Sequence, residues 1–302
     1  MSGDLAQQVI GAAGIDARVA ATSMLGEGAK SVVSKLELEN AEPLALKVFR
    51  SGSRAGREHA AYRLLGEHSS HVPRLLAAAA ETPDFPFGYS LLTIAAGEPL
   101  SMNFGGLERV RLLAVYRGVG GFLASLHRTA GRGFSELSDE RLDRDNAVFV
   151  ARRVDRALVT FLTHGGSHRL AGRLESYFAD ASECLARSAA PVLCHGDLHP
   201  GNIFVTGDAS TLSFAGVIDL EGAFTGDAVM DLVRVIHSCP LPGDDLTRAV
   251  LEGYGDKPAG FDALFDVYLV LFELELWNYY AVGGSRRPLR SIARRIRKRT
   301  RA

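Results

Sequence analysis

Apolar and polar positions alternate with two different periods along the chain. In the first hundred residues the period is two. Val33-Ser34-Lys35-Leu36-Glu37-Leu38 alternates, and Leu44-Ala45-Leu46-Lys47-Val48-Phe49 is a short apolar run holding one lysine. Both predict strands, and residues 73–80 and 89–94 predict two more. Helices are expected at 4–13 and near 54–66. Beyond residue 100 the period lengthens. Leu112, Val115, Val119, Phe122, Leu123 and Leu126 place an apolar stripe on a helix over 107–128. Further helical patterns lie near 147–164, 168–187, 245–254 and 261–281.

One stretch fits neither period. His195-Gly196-Asp197-Leu198-His199-Pro200-Gly201-Asn202 sits between Pro191-Val192-Leu193 and Ile203-Phe204-Val205. Gly196, Pro200 and Gly201 forbid a regular helix, so a tight loop between short strands is expected. Another apolar run, Gly216-Val217-Ile218, ends in Asp219-Leu220-Glu221. A loop carrying Asp and Asn, followed by a strand ending in Asp, is the arrangement phosphoryl transfer needs. One carboxylate orients and deprotonates a hydroxyl, while an amide oxygen and a second carboxylate hold magnesium.

Composition changes this picture little. The chain has 302 residues, 47% of them hydrophobic and 23% charged, as in an ordinary globular protein. The three cysteines, Cys184, Cys194 and Cys239, are scattered and give neither a disulfide framework nor a zinc pattern, so a reducing cytoplasm is expected. No signal peptide and no membrane-spanning run is expected. Charge is uneven. Residues 98–284 hold 16 Lys and Arg against 25 Asp and Glu, whereas residues 285–302 hold 9 basic residues and no acidic one. An acidic central region suits a cationic ligand. The basic tail has a thin apolar stripe, Leu289, Ile292 and Ile296, and is expected to be docked or solvated. Without interleaved aromatics it does not read as a nucleic-acid binder.

The loop and the Val-Ile-Asp-Leu-Glu segment after it resemble the aminoglycoside phosphotransferase and choline kinase group. The resemblance implies an α+β, bilobal protein-kinase-like fold. An N-terminal antiparallel-sheet lobe with one main helix would span 1–96, with a hinge at about 92–98. A larger, mostly helical catalytic and acceptor-binding lobe would span 97–302. It implies Asp197 as the catalytic base, Asn202 and Asp219 as magnesium ligands, and His195 as a brace for the loop. Leu220 departs from the aromatic residue often found there. Asp227 and Asp231 are read as structural, capping the next helix and bracing the loop.

Under the same resemblance Met24-Leu25-Gly26-Glu27-Gly28-Ala29-Lys30-Ser31 becomes a glycine hairpin over nucleotide phosphates, with Gly26, Gly28, Lys30 and Ser31 in contact. A Walker loop is excluded because Ala29 replaces the glycine before the lysine and a strand follows. Lys47 would contact the α- and β-phosphates of ATP or GTP and pair with Glu58. Leu92 would back the base pocket, with backbone groups near Thr93 and Ala95 binding the base.

For the acceptor, the acidic group Asp139, Glu140, Asp143 and Asp145 and the late-helix residues Glu273 and Trp277 are candidates, the last two sharing a face at i,i+4. Glu221 is a further candidate, assisting the metal. A cationic antibiotic is the first expectation. A metabolic kinase for choline, homoserine, methylthioribose or fructosamine is the alternative. A metallohydrolase using His195, Asp197 and His199 and a non-catalytic nucleotide-binding module complete the range. Sequence alone leaves a monomer and a homodimer equally open.

Overall fold

The computed structural model describes the chain apart from residues 1, 2, 29, 67–70, 82–86, 138–140 and 302. Asp139 and Glu140 therefore lie outside the described residues. A short helix α1 (Gly3–Ala12) precedes β1 (Val19–Glu27), β2 (Ser31–Leu38) and β3 (Ala41–Phe49). Helix α2 (Gly52–Leu65), β4 (Leu75–Ala79) and β5 (Tyr89–Thr93) follow. The strands form one antiparallel sheet in the order β1-β2-β3-β5-β4. Side chains alternate between its faces. Leu36, Leu44, Leu46, Tyr89 and Leu91 pack with Ala6, Val9 and Ile10 of α1 as a small core. Ala45 and Leu92 instead join the larger core with Ala61 and Tyr62 of α2. Lys47, between Leu46 and Val48, is thereby carried on the α2 side, and it is buried.

After Thr93 the chain turns through Gly97 into β6 (Glu98–Pro99), which pairs with β9 (Ile203–Thr206), itself paired with β10 (Ser213–Val217). The helical part comprises α3 (Arg109–Leu126), α4 (Asn146–Thr163), α5 (His168–Asp180), α6 (Ser182–Ala186), α7 (Ala228–Ser238), α8 (Asp244–Tyr254), α9 (Phe261–Val282) and α10 (Leu289–Arg299). A second small sheet, β7 (Ser135–Glu136), β11 (Phe224–Gly226) and β8 (Val192–Cys194), leads into the polar loop. The helical stretch expected over 168–187 is thus two helices.

Two packing features position the site. Helices α3 and α8 lie backbone to backbone: a Cβ on Gly253 would collide with the Arg117 carbonyl, and one on Gly120 with that of Val250. Helix α9 is apolar on most sides and runs through the large core, with Leu264, Val270, Leu271 and Leu274 buried. The basic tail is docked on it. Ile292, Ala293 and Ile296 are buried, Arg295 Nε donates to Glu273 Oε1 (2.6 Å), and Arg299 Nη1 donates to Asp266 Oδ1 (3.0 Å). Among the described residues no helix is long and apolar enough to cross a membrane, and the three cysteines are free.

Candidate active site

The polar loop is held by buried hydrogen bonds. His195 is fully buried. Its Nδ1 accepts from the Asp197 amide (3.3 Å), which makes Nε2 the donor to the Ile218 carbonyl (3.1 Å). Burial lowers its pKa and keeps the ring neutral. Asp231, one turn into α7, accepts from the amides of His195 (2.6 Å) and Gly196 (2.8 Å) and from His127 Nε2 (3.3 Å). Burial alone would raise this carboxyl, but His127 and the loop amides hold it below its usual range. Gly196 has φ +77°, and a Cβ there would strike the Gly222 carbonyl. The loop and the turn after Asp219 can approach this closely only with glycine at 196.

Asp197 is left partly exposed, with Arg234 Nη1 3.4 Å from its Oδ1. Asn202 Nδ2 donates to the Asp197 carbonyl (2.9 Å), which orients the amide and leaves its oxygen as a ligand. Asp219 stands just past β10 in the left-handed region, φ +73°. An aspartate tolerates this better than most residues, at a cost of order 1–3 kcal/mol, and the conformation turns the side chain back into the cleft. Both hydrogen bonds it accepts, from Lys47 Nζ (2.7 Å) and the Glu221 amide (3.4 Å), go to Oδ1. Its Oδ2 and the Asn202 side-chain oxygen are hard oxygen donors of the kind magnesium takes.

Lys47 ties the sheet to this loop. Its Nζ lies 2.6 Å from Glu58 Oε2, 2.7 Å from Asp219 Oδ1 and 3.2 Å from Glu221 Oε2. Burial would lower its pKa, but the three carboxylates more than offset that and keep it protonated. Lys47 in turn draws Asp219 below its usual range against the opposing effect of burial. Glu221 is buried and reached by Arg54 Nη1 (3.2 Å) and by the half-exposed Lys30 (3.8 Å). In the glycine hairpin the Gly28 amide donates to the Ser31 carbonyl (3.0 Å). Gly26 lies at an irregularity between β1 and β2. Gly28, Lys30 and Ser31 line the same cavity, of about 880 Å³, as Asp197, Asp219 and Glu221. Leu92 is buried in the large core. The Thr93 amide is spent on the Arg74 carbonyl (3.0 Å), so it is no donor for a base, and Ala95 follows in the connection to β6.

The two late-helix candidates are corrected by the structure. Glu273 faces Arg295 and Arg299 of the tail, and Trp277 is core, its ring 4.4 Å from that of Phe161. The i,i+4 spacing defines a common face of α9, but that face meets α4 and α10. Residues two apart on a helix point about 200° apart, so Glu275 turns to the cleft instead, with Phe272, Leu276, Tyr279 and Tyr280. Asp143 is bound by Arg152 and Arg141, and Asp145 caps α4 by accepting from the Ala147 amide (2.7 Å). Cleft residues that the pattern did not single out are Arg54, Arg57, Glu136, Arg153 and Arg234. Only Arg234 left a trace, as a lone charge in the apolar stretch of α7 three residues after Asp231.

The metallohydrolase ligand set does not assemble. His195 uses both ring nitrogens on backbone, and His199 Nδ1 accepts from the Gly201 amide (3.0 Å). Among the described residues, the cluster of potential ligands close enough to share a cation is His127, Cys194 and Asp231, all buried in the brace behind the loop.

Asp227 provides a pH test of this brace. It caps α7 by accepting from the Val229 amide (2.8 Å), and burial pushes its pKa up to about 6. The folded form thus binds its proton more tightly than the unfolded chain. The resulting stability is present below about pH 4 and is lost as pH rises to about 6. In Asp227→Asn, which keeps a capping oxygen, this component vanishes. Denaturant melts of variant and wild type from pH 4 to 8 should differ by an amount that changes between pH 4 and 6 and is constant above. A pH-independent difference would contradict the assignment.

The residues that meet in this cleft come from segments far apart in the chain. A model of the phosphotransferase enzyme family matches residues 23–264. A crystal structure of aminoglycoside phosphotransferase APH(4)-Ia superposes with a TM-score of 0.72 at 15% identity, covering 99% of this chain and 98% of that one. Wild-type aminoglycoside 2'-phosphotransferase-IIIa in complex with GDP gives 0.67 at 13% identity, over 99% of both chains. Macrolide 2'-phosphotransferase MphH from Brachybacterium faecium gives 0.63 at 18% identity, over 96% of both. At such identities the structures share the fold, and the family match carries the relationship: the chain belongs to the phosphotransferase enzyme family.

Proposed function

We propose that this phosphotransferase moves the γ-phosphoryl group of ATP or GTP to a hydroxyl of a small molecule, with Mg²⁺. The observation that carries the reading is the convergence of Lys47, Glu58 and Asp219 in one buried cluster beside Asp197 and Asn202. Asp197 accepts the proton of the attacking hydroxyl. Lys47, held by Glu58, neutralises phosphate oxygens, and the backbone of Gly26, Gly28, Lys30 and Ser31 covers them. Asn202 and Asp219 would hold the magnesium, which when bound would supply charge neutralisation. Positioning and electrostatics carry most of the rate enhancement. In this reading residues 1–96 form the nucleotide lobe, and the segment 92–98 is the hinge to the catalytic lobe 97–302, with the base against Leu92 and the backbone near Thr93 and Ala95.

Two acceptor readings follow. A cationic antibiotic is supported by the acidic balance of residues 98–284. A related structure, APH(4)-Ia, is recorded in ternary complex with AMP-PNP and hygromycin B. A metabolic hydroxy compound is favoured by a specific observation: the carboxylates on the acceptor side, Glu136, Glu275 and Asp197, are all engaged by arginine. The direct test incubates purified protein with ATP, Mg²⁺ and an acceptor panel, following ADP release and an 80 Da gain in product mass (one PO₃H unit, as any monophosphorylation adds). Release abolished by EDTA and restored by Mg²⁺ is expected. Activity that needs stoichiometric zinc and no nucleotide would instead support a hydrolase.

A further inference from the structure

The acceptor side of the cleft is built from arginine. Arg153 of α4 donates from Nη2 to Glu275 Oε1 (2.7 Å), and its guanidinium lies over the Phe224 ring (4.7 Å). Its Nη1 is buried, 3.5 Å from Glu136 Oε1, and makes no hydrogen bond. Arg234 of α7 donates from Nη2 to Glu275 Oε2 (2.9 Å), reaches Asp197 with Nη1 (3.4 Å), and lies over the Phe272 ring (5.1 Å). Arg57 and Arg156 approach Glu136 at 3.3 and 3.2 Å. Four guanidinium groups thus meet three carboxylates, Glu136, Glu275 and Asp197.

This inventory has a sign. A polycationic acceptor would have to take these carboxylates away from their arginines, leaving the largely buried Arg153 and Arg234 without counter-charge. An anion meets the opposite situation. The guanidinium planes are pinned from behind by aromatic rings and by Glu275, so little side-chain entropy remains to be lost. Glu136, Glu275 and Asp197 are each already engaged by arginine, and the buried Nη1 of Arg153 lacks an acceptor. Planar guanidinium forks match carboxylate and phosphate oxygens.

We propose that the acceptor is an anionic hydroxy compound, its carboxylate or phosphate received by Arg153 and Arg234 while its hydroxyl meets Asp197. The inference rests on the phosphotransferase reading of the cleft. The hydroxyl proton passes to Asp197, the acceptor oxygen forms a bond to the γ-phosphorus, and the bond from that phosphorus to the nucleoside diphosphate breaks. The products are a phosphate monoester that keeps its anionic group and a nucleoside diphosphate. Arg234 links recognition to chemistry: an anion that takes over Nη1 withdraws it from Asp197 and leaves that carboxylate to the hydroxyl.

The test uses the full chain with ATP and Mg²⁺ and acceptors matched by hydroxyl. One arm holds hydroxy acids (glycerate, gluconate, 4-hydroxybutyrate) and a second holds sugar phosphates. The third holds neutral and aminated counterparts (glycerol, glucose, glucosamine, choline, an aminoglycoside). We expect kcat/KM for one anionic arm to exceed that of its counterparts by roughly tenfold or more, which corresponds to one charge-assisted contact. Which arm responds separates carboxylate from phosphate. Arg234→Met should raise KM for the anion by roughly 10–100-fold, with partial recovery in Arg234→Lys. Arg153→Met should act in the same direction; Arg234, less buried, keeps the test sound if that variant does not fold. Preference for aminated acceptors, or refusal of every anion, overturns the inference. Calorimetry with ATP and Mg²⁺ separates the two levels: nucleotide bound but anions refused removes this inference alone, whereas no nucleotide binding removes the phosphotransferase reading as well.

Discussion

Asp197→Asn should reduce turnover by roughly 10²–10⁴-fold while leaving nucleotide binding nearly unchanged, the range typical of removing a positioned general base. The asparagine keeps the shape of the side chain but presents no anionic oxygen to the hydroxyl proton. The fold should survive, because the loop is held by groups other than the Asp197 carboxylate. Asp231 binds the amides of His195 and Gly196, and Asn202 binds the Asp197 carbonyl, not its side chain. Arg234 loses a counter-charge at 3.4 Å but keeps Glu275 at 2.9 Å. Single-turnover rates with a responsive acceptor, together with calorimetry for nucleotide, measure the two halves separately. A well-folded variant with near-normal turnover would remove Asp197 from the role of base.

Lys47→Met should damage both stability and nucleotide use. Lys47 is the buried cation shared by Glu58, Asp219 and Glu221. Methionine replaces its stem and deletes its charge, so carboxylates gathered around one ammonium are left facing one another. Breaking a buried pair from one side typically costs about 3–5 kcal/mol. The loss should be smaller at pH 5 than at pH 8, and the sign follows from linkage. Burial already pushes the Glu58 carboxyl up, and without Lys47 its folded pKa rises further above its unfolded value. The folded variant then binds protons more tightly than the unfolded chain, and the stability gained is lost as pH rises through the folded pKa. Urea melts at the two pH values check this. Nucleotide kcat/KM should fall by roughly a hundredfold, in line with the 2–5 kcal/mol that truncating one partner of a buried charge pair costs. A variant as stable as wild type at pH 8 would mean that the three carboxylates do not depend on Lys47.

The arrangement also explains why the site tolerates so much charge in so small a volume. Each buried carboxylate near the cleft has a cation or several amides against it: Asp231 has the loop amides, Glu221 has Arg54 and Lys47, and Glu275 has two arginines. Around Glu136 and Glu275 the pairs are redundant on the cationic side, and that part of the cleft favours ligands that bring negative charge.

Much of this was legible in the amino-acid sequence, wherever the determining interactions are local. The period-two runs specify strands, and the two faces of β3 and β5 then go to separate cores. The loop from His195 to Asn202 places its chemistry within eight consecutive residues, so glycine and proline positions determine its shape. Lys47 stood out because an amine inside an apolar strand must find counter-charge. The resemblance already paired it with Glu58, but tertiary structure alone decided that Asp219 and Glu221 answer it too. Asp219 is 172 positions away, and no local pattern encodes that meeting. Helix periodicity likewise assigns Glu273 and Trp277 to one face of α9 without saying which neighbour that face meets, and packing gave it to α4 and α10. Net charge along the chain likewise does not determine the potential inside the cleft. The excess of acidic residues over 98–284 is a sum along the chain, whereas the potential in the cleft depends on distance. At the distances that matter Arg57, Arg153, Arg156 and Arg234 match or outnumber the carboxylates.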